Sequence, residues 1–452
     1  MGEVKLISEF YVRPQAEVNK SNQKYYLVPS ELNLLLLSYL KCGYLYKKPQ
    51  DFNTVLYFEK LKLSLSMALV HFYPLGGQLV TETYEHDHSS RIFVDFSKGR
   101  GVKVIHAIAP DLRLDDIISP NNDIPMVVRS FFSFNDQLIN YDGHIQPLAL
   151  FQVTELKDGV FLGISINHCL VDGTSAVHFL STWSKFFMSS SSLPPSISHV
   201  PIIRPSFLNN IQTNNKLPYI KPSEFVIRTT PNNGIRERIF HFSNNTIAML
   251  KCKANSQASH YQHKISSLQA ISAFIWRSIS RARNLHSNNL TSCTMITDLR
   301  PRFTPPLSRH CFGCFLNEAA VTVNITDLLS NNLGWAASLL HEKVIRLDDK
   351  VARHVFCKSP ELEISCNASS GPNPVIVVGS PRLDLYGCEY GLGRPLGVII
   401  GADNDDGEIT ISSSSKLDGS MDVQVSLASY AMNALLLDQE FMSFTSYIKS
   451  TL

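Results

Sequence analysis

Two strand-like runs, residues 148–156 and 160–167, are separated only by Lys157-Asp158-Gly159. Asp-Gly between two such runs is a strong short-range signal for a β-hairpin, because glycine takes the positive φ that a tight turn needs. The second run delivers Asn167-His168 to its end, and Asp172-Gly173 makes the turn that follows. After Thr174 a helix is expected, with Val177, Leu180, Trp183 and Phe187 on one side. His168 therefore sits at a strand-to-helix junction, where a bend in the backbone exposes a side chain to a cleft.

The remaining segments mix both periodicities. A helix is expected over residues 29–47, with Pro29 in its first turn and Ser30-Glu31 at its start. Phe58, Leu61, Leu65, Leu69 and Phe72 recur at helical spacing and stop at Pro74 and Gly76-Gly77. Residues 91–96 and 102–108 read as strands. A Ser-, Pro- and Asn-rich tract from Met188 to about Gly234 carries little periodicity and reads as a domain crossover. Beyond it, strands are expected over 235–242 and 319–323 and near Val375, Val398, Ile409 and Val423. Helices are expected over about 267–281, 328–348 and 430–448. The acidic stretch 401–408 reads as a hairpin loop and not as a calcium site. At 452 residues the chain is too long for one ordinary core. The expected organisation is α/β with mixed sheets: a domain over 1–200, a linker over 201–234 and a second domain over 235–452.

Charge and composition exclude several classes. The formal net charge is +2 and no long Lys/Arg block occurs, so neither nucleic acid nor a membrane surface is expected as a partner. No unbroken apolar run is longer than that at residues 34–37, far short of a membrane span, and the N-terminal stretch lacks the apolar core of a secretory signal. Nine cysteines lack framework spacing, which points to reduced thiols in the cytoplasm. Cys311 and Cys314 form a single CxxC without the second ligand pair that zinc requires. A monomer needing no metal or bound cofactor is the expectation.

His168-Cys169-Leu170-Val171-Asp172 forms an HxxxD segment. A histidine titrates near neutrality, so it can take the proton of an attacking alcohol or amine and return it to a leaving group. The pattern by itself is weak, since a chain with 15 histidines offers about one chance match, and a buried structural histidine is the competing reading. Cys169 beside His168 could suggest a Cys-His nucleophile, but adjacent residues at a strand end point apart. His178 is expected on the helix surface or in packing.

The wider context narrows the choice. Some 220 residues after HxxxDG comes Glu389-Tyr390-Gly391-Leu392-Gly393-Arg394-Pro395. Phe72-Tyr73-Pro74-Leu75-Gly76-Gly77, Ser272 to Arg277 (SAFIWR) and Asp298-Leu299-Arg300-Pro301-Arg302 accompany it, with Pro305-Pro306-Leu307 and Phe312-Gly313 following. Together these resemble the motifs of the plant BAHD acyltransferases, HxxxDG and a later DFGWG, and come nearest its acetyltransferase-like branch. The resemblance implies a two-domain, chloramphenicol-acetyltransferase-like fold with a channel at the domain interface. It implies acyl-CoA as donor co-substrate, an alcohol or amine as acceptor and His168 as general base. It also implies that Asp172 turns from the channel and pairs with an arginine, Arg300, instead of forming a catalytic dyad. A lyase on the same scaffold, cleaving an isochorismoyl-type conjugate without coenzyme A, is the alternative.

Three departures from the family pattern stand out. DFGWG has become EYGLG, with Glu389 keeping the charge of Asp and Leu392 replacing Trp, while Gly391 and Gly393 allow turns that a side chain would block. Gly173, Glu389, Gly391 and Gly393 are accordingly expected to support the site. Pro381 stands where hydroxycinnamoyl transferases carry an oxyanion-holding Trp and has no donor to offer. Cys314 follows Phe312-Gly313 where the family usually has Asn.

Overall fold

A computed structural model describes residues 3–445 except 17–23, 120–121, 190–195, 204, 206, 209–214, 229–233, 259–263, 361–370 and 402–404. Strands and helices alternate along it. The first half holds β1 (Lys5–Val12), β2 (Lys24–Tyr26), α1 (Pro29–Leu32), β3 (Leu40–Lys47) and α2 (Thr54–His71). These are followed by β4 (Gln78–Tyr84), β5 (Ser89–Asp95), β6 (Val102–Ala109), α3 (Leu114–Ile117), β7 (Ala149–Leu156), β8 (Gly159–Ile166) and α4 (Gly173–Met188). The second half begins with β9 (Ile235–Phe242), α5 (Asn244–Gln257), α6 (Ser267–Ala282), β10 (Leu290–Asp298) and β11 (Leu316–Asn324). Next come α7 (Ile325–Ser330), α8 (Leu333–Ile345), α9 (Asp349–Cys357) and β12 (Pro374–Val378). It closes with β13 (Gly397–Ile400), β14 (Glu408–Ser413), β15 (Met421–Ala428), α10 (Ser429–Leu437) and α11 (Gln439–Phe444).

Two six-stranded mixed sheets organise these elements, ordered β1-β6-β7-β8-β3-β13 and β11-β10-β12-β14-β15-β9, beside a small sheet β2-β5-β4. β6 and β7 run parallel in the first sheet; β12 runs parallel to both β10 and β14 in the second. Each large sheet has its own apolar core. Phe151, Phe179, Trp183 and Tyr46 lie in the first and Phe242, Trp276, Ile279 and Val423 in the second. Both strands of the hairpin β7–β8 are buried at every position, polar Gln152, Thr154, Glu155 and Ser165 included.

The sheets do not follow the halves of the chain. β13 leaves the second half to pair with β3 at the edge of the first sheet, while β14 joins the second. The stretch 401–408 is therefore not the loop of a hairpin: it carries the chain from one sheet to the other, with residues 402–404 outside the described set. Alternation and turn residues reveal a strand and its end, but not which sheet will accept it. Gln424 on β15 bridges the junction, its amide accepting from the Ile400 N–H (3.0 Å) and donating to the Ile400 carbonyl (2.6 Å).

Other sequence expectations also shift. The helix expected over 29–47 stops after one turn at Leu32, and residues 40–47 form strand β3. β3 lies between β8 and β13, with Cys42, Tyr44 and Tyr46 facing one core and Leu45 another. With both faces buried, its pattern loses the alternation that marks a strand. The helix expected over 328–348 is broken, because Asn332 accepts from the Trp335 N–H and starts α8 anew. Asp438 interrupts the final helix in the same way, accepting from Phe441 N–H, and the end of that expected helix lies outside the described residues. Much of the Ser- and Pro-rich run after Met188 also lies outside them. Sequence periodicity missed β1, β2, β4, α3, α5, β10 and α9 altogether.

The close approach of neighbouring segments yields a direct test. A Cβ at Gly163 on β8 would lie 2.1 Å from the Phe131 carbonyl oxygen, a backbone atom that cannot swing aside. Gly163→Ala is expected to cost about 1–3 kcal/mol by overpacking, read as a lower urea midpoint with the β-rich circular dichroism of the parent retained below it.

Candidate active site

The site forms where β8 ends. Ladder pairing of β8 stops at Ile166, and the chain bends through residues 168–170 before α4 begins at Gly173. Asn167 holds the bend: its N–H donates to Leu148 O (2.8 Å), while its side-chain oxygen accepts from Cys169 N–H (3.2 Å). His168 stands at the bend half-buried, and its backbone N–H donates to the side-chain oxygen of Asn140 (2.6 Å). The imidazole Nδ1 is buried and has no hydrogen-bond partner among the described residues.

Asp172 does not supply that partner, because it is used elsewhere. As the N-cap of α4 its Oδ1 accepts from Ser175 N–H (2.9 Å), and its Oδ2 accepts from Phe315 N–H (3.0 Å). Arg300 then donates to both oxygens, at 2.6 Å and 3.1 Å. The two side chains are 0% and 2% exposed, so this is a bidentate charge pair with almost no water. Arg300 also donates to the carbonyls of Cys311 (3.0 Å) and Gly313 (3.3 Å) and to Ser175 Oγ (3.0 Å). The ring of Phe315 lies 4.4 Å from the guanidinium carbon. Burial alone would lower the Arg300 pKa, but the charges and hydrogen bonds of Asp172 and Asp298 raise it above its ordinary value.

Cys169 is fully buried, and burial pushes its thiol pKa well above the ordinary value, which removes the thiolate that nucleophilic catalysis would need. Cys314 is buried beside the ion pair, and burial likewise pushes its thiol well up.

The remaining sequence candidates lie elsewhere along α4. Gly173 begins the helix, where a Cβ would press to 3.2 Å from Leu383, two residues past Pro381. Glu389 to Gly393 pack near the other end, about 18 Å along the axis from Asp172 at 1.5 Å per residue. There Glu389 N–H donates to Ser184 Oγ (2.9 Å) and Tyr390 OH to Leu180 O (2.9 Å). The Tyr390 ring meets the Trp183 edge at 4.7 Å. Gly391 and Gly393 have φ of 74° and 77°, left-handed values that favour glycine, and at Gly391 a Cβ would also meet Phe187 at 2.8 Å. Leu392 is buried, so the residue in the family's Trp position still packs inward.

Sequence reasoning missed Asn140, Ser175 and the Gly313–Phe315 backbone. Ser175 carried a signal in Asp172-x-x-Ser175, since an N-cap carboxylate accepts from the N–H three residues on. Asn140 carried none, because Asn140-Tyr141-Asp142-Gly143 reads as an ordinary turn.

His178, one turn into α4, is half-buried. Its Nε2 lies 3.0 Å from His199 O and its ring 4.7 Å from that of His310, which stacks on His199 at 4.2 Å. Burial first, then the neighbouring His310, His199 and Arg309, push His178 down to about 4. A folded-state pKa below the unfolded value of 6.5 means that the fold favours the neutral ring. That stabilisation is complete above about pH 6.5 and is lost as pH falls through about 4. The melting temperature of His178→Gln is therefore expected to fall less between pH 7 and pH 4.5 than that of the parent. Parallel curves in differential scanning fluorimetry would contradict it.

Asp172→Asn leaves Arg300 buried without its counter-charge, at an expected cost of about 3–5 kcal/mol. Stability and activity should fall together. An unchanged melting temperature with lost turnover would instead give Asp172 a chemical role.

Residues 3–442 match the family model described as the Transferase family. An uncharacterized acetyltransferase of Arabidopsis thaliana is 31% identical over 448 residues, covering 98% of this chain and 99% of that protein. Vinorine synthase superposes with a TM-score of 0.72 at 18% identity, over 98% of this chain and 99% of that structure. TRI101 of F. graminearum, complexed with coenzyme A and T-2 mycotoxin, gives a TM-score of 0.73 at 18% identity, over 94% and 99%. These likenesses to solved structures establish the two-domain fold, and the lyase reading gains no support from these relatives. With its HxxxDG bend, its Asp172–Arg300 pair and a family match along nearly its whole length, the chain belongs to the transferase family of BAHD acyltransferases and is an acyltransferase.

Proposed function

We propose that the protein transfers an acyl group from a coenzyme A thioester to the hydroxyl or amine of a small plant metabolite, with His168 as the general base. The observation that carries this reading is the full commitment of Asp172. Both of its oxygens are taken by Arg300, Ser175 and Phe315, so it cannot steady or polarise the ring of His168. The half-buried imidazole is left to act alone. Coenzyme A as co-substrate is supported by the TRI101 complex, whose fold this chain shares.

In this mechanism the acceptor O–H or N–H gives its proton to His168 as the heteroatom bonds to the thioester carbon. The tetrahedral intermediate then collapses, the C–S bond breaks, and the imidazolium returns the proton to the departing thiolate. Pro381 offers no side-chain donor to the oxyanion, so backbone N–H groups or water take that part.

A donor-by-acceptor screen of acyl-CoAs against plant metabolites, with mass detection of products, should find free coenzyme A rising in step with acylated product. His168→Ala should lose about 10²–10⁴-fold in turnover while keeping the parent melting temperature. Near-parent rates in that folded variant, or product formed with no thioester present, would overturn the proposal.

A further inference from the structure

We infer that Asn140 is the positioning residue for His168, holding the base through its backbone and not through its ring. The inference rests on the reading of His168 as the base and extends it to a residue that no motif marks. Asn140 is fully buried at the start of a 3₁₀ turn, Asn140–His144, distant in sequence from HxxxD. Its side-chain oxygen accepts from His168 N–H at 2.6 Å, and its carbonyl accepts from the Asn167 side-chain amide at 2.7 Å. On the other side its Nδ2 donates to Leu34 O (2.8 Å) and Ser38 O (3.2 Å), and its own N–H donates to Leu37 O (2.8 Å). Every polar atom of the residue is thus bonded, half toward the turn after α1 and half toward the catalytic bend.

Two features make this arrangement specific. The carbonyls of Leu34 and Ser38 fix the amide orientation, because flipping it would set NH₂ against the His168 N–H and a carbonyl-type oxygen against two carbonyls. The bond also falls where the ladder gives out: β8 pairing ends at Ile166, so the amide oxygen supplies the acceptor that a strand neighbour no longer offers. Because Nδ1 of the imidazole has no partner among the described residues, backbone position, with packing, decides where the ring points. Catalytic geometry is steep in distance, a displacement of about 1 Å costing on the order of 10²-fold in rate.

Thiol release is followed with acetyl-coenzyme A as donor and the alcohol or amine that the screen selects as acceptor. Asn140→Ala, assayed where circular dichroism shows it folded, should lose about 10–100-fold in kcat with donor KM changed by less than about threefold. Asn140→Asp, kept protonated by burial against the Leu34 and Ser38 carbonyls so that its second oxygen donates to one of them, retains an acceptor for the His168 N–H and should recover at least about fivefold of that loss. In a His168→Ala background, adding Asn140→Ala should change the residual rate less than about twofold, since both act through one group. Its melting temperature should still drop as it does in the parent.

Parent kcat in folded Asn140→Ala, or an equal fold-loss in the His168→Ala background, overturns the inference. If Asn140→Ala does not fold, the folded Asn140→Asp protein decides: turnover well above that of His168→Ala supports the inference, and turnover at that level overturns it. Parent turnover in His168→Ala would sink both this inference and the base assignment, a result separable from every Asn140 outcome.

Discussion

Arg300 reaches from the second half of the chain into the first turn of α4 and meets Asp172 with both carboxylate oxygens engaged. Taking two charges out of water costs several kcal/mol per ion, and their attraction repays it only when the remaining donors and acceptors are also satisfied. Here they are. Ser175, Phe315 and the carbonyls of Cys311 and Gly313 complete the shell, and Phe315 covers the guanidinium face. The pair joins the two halves of the molecule at the point where the chain carrying His168 leaves its strand. It fixes where α4 begins, and with it the bend that carries His168.

α4 acts as a beam held at both ends. Its N-terminus is set by the ion pair, and its far half by Ser184 and Leu180, which bond Glu389 and Tyr390 of the EYGLG segment. The Glu389–Gly393 motif thus packs on the far half of α4. Replacement of the family's Trp by Leu392 fits that role, because a buried apolar side chain at this position fills space without having to donate a hydrogen bond. At the same bend, Asn140 ties the His168 backbone to the turn after α1.

Much of this was legible in the sequence. Asp-Gly between strand-like runs marked the β7–β8 hairpin, the 3.6-residue spacing marked α2, α4 and α6, and the distant motifs in order marked the family. Misreadings cluster where burial on both faces erased a period, as in β3, or where an internal Asn or Asp restarted a helix, as at Asn332 and Asp438. Local pattern also cannot show that β13 crosses to the first sheet, since the edge it joins, β3, lies some 350 residues earlier.

The sequence by itself determined the chemistry on offer: a histidine at a strand end, an Asp-Gly turn and an arginine in a matching motif. These are local properties of residue type and spacing. Only the tertiary structure decided that Asp172 spends both oxygens away from His168, that burial pushes the Cys169 thiol well up, and that the Asn140 side chain takes the His168 N–H. Each of these depends on which distant groups share a low-dielectric interior, where one added charge or one missing acceptor decides the outcome. That proximity is created by packing, and no run of neighbouring residues encodes it.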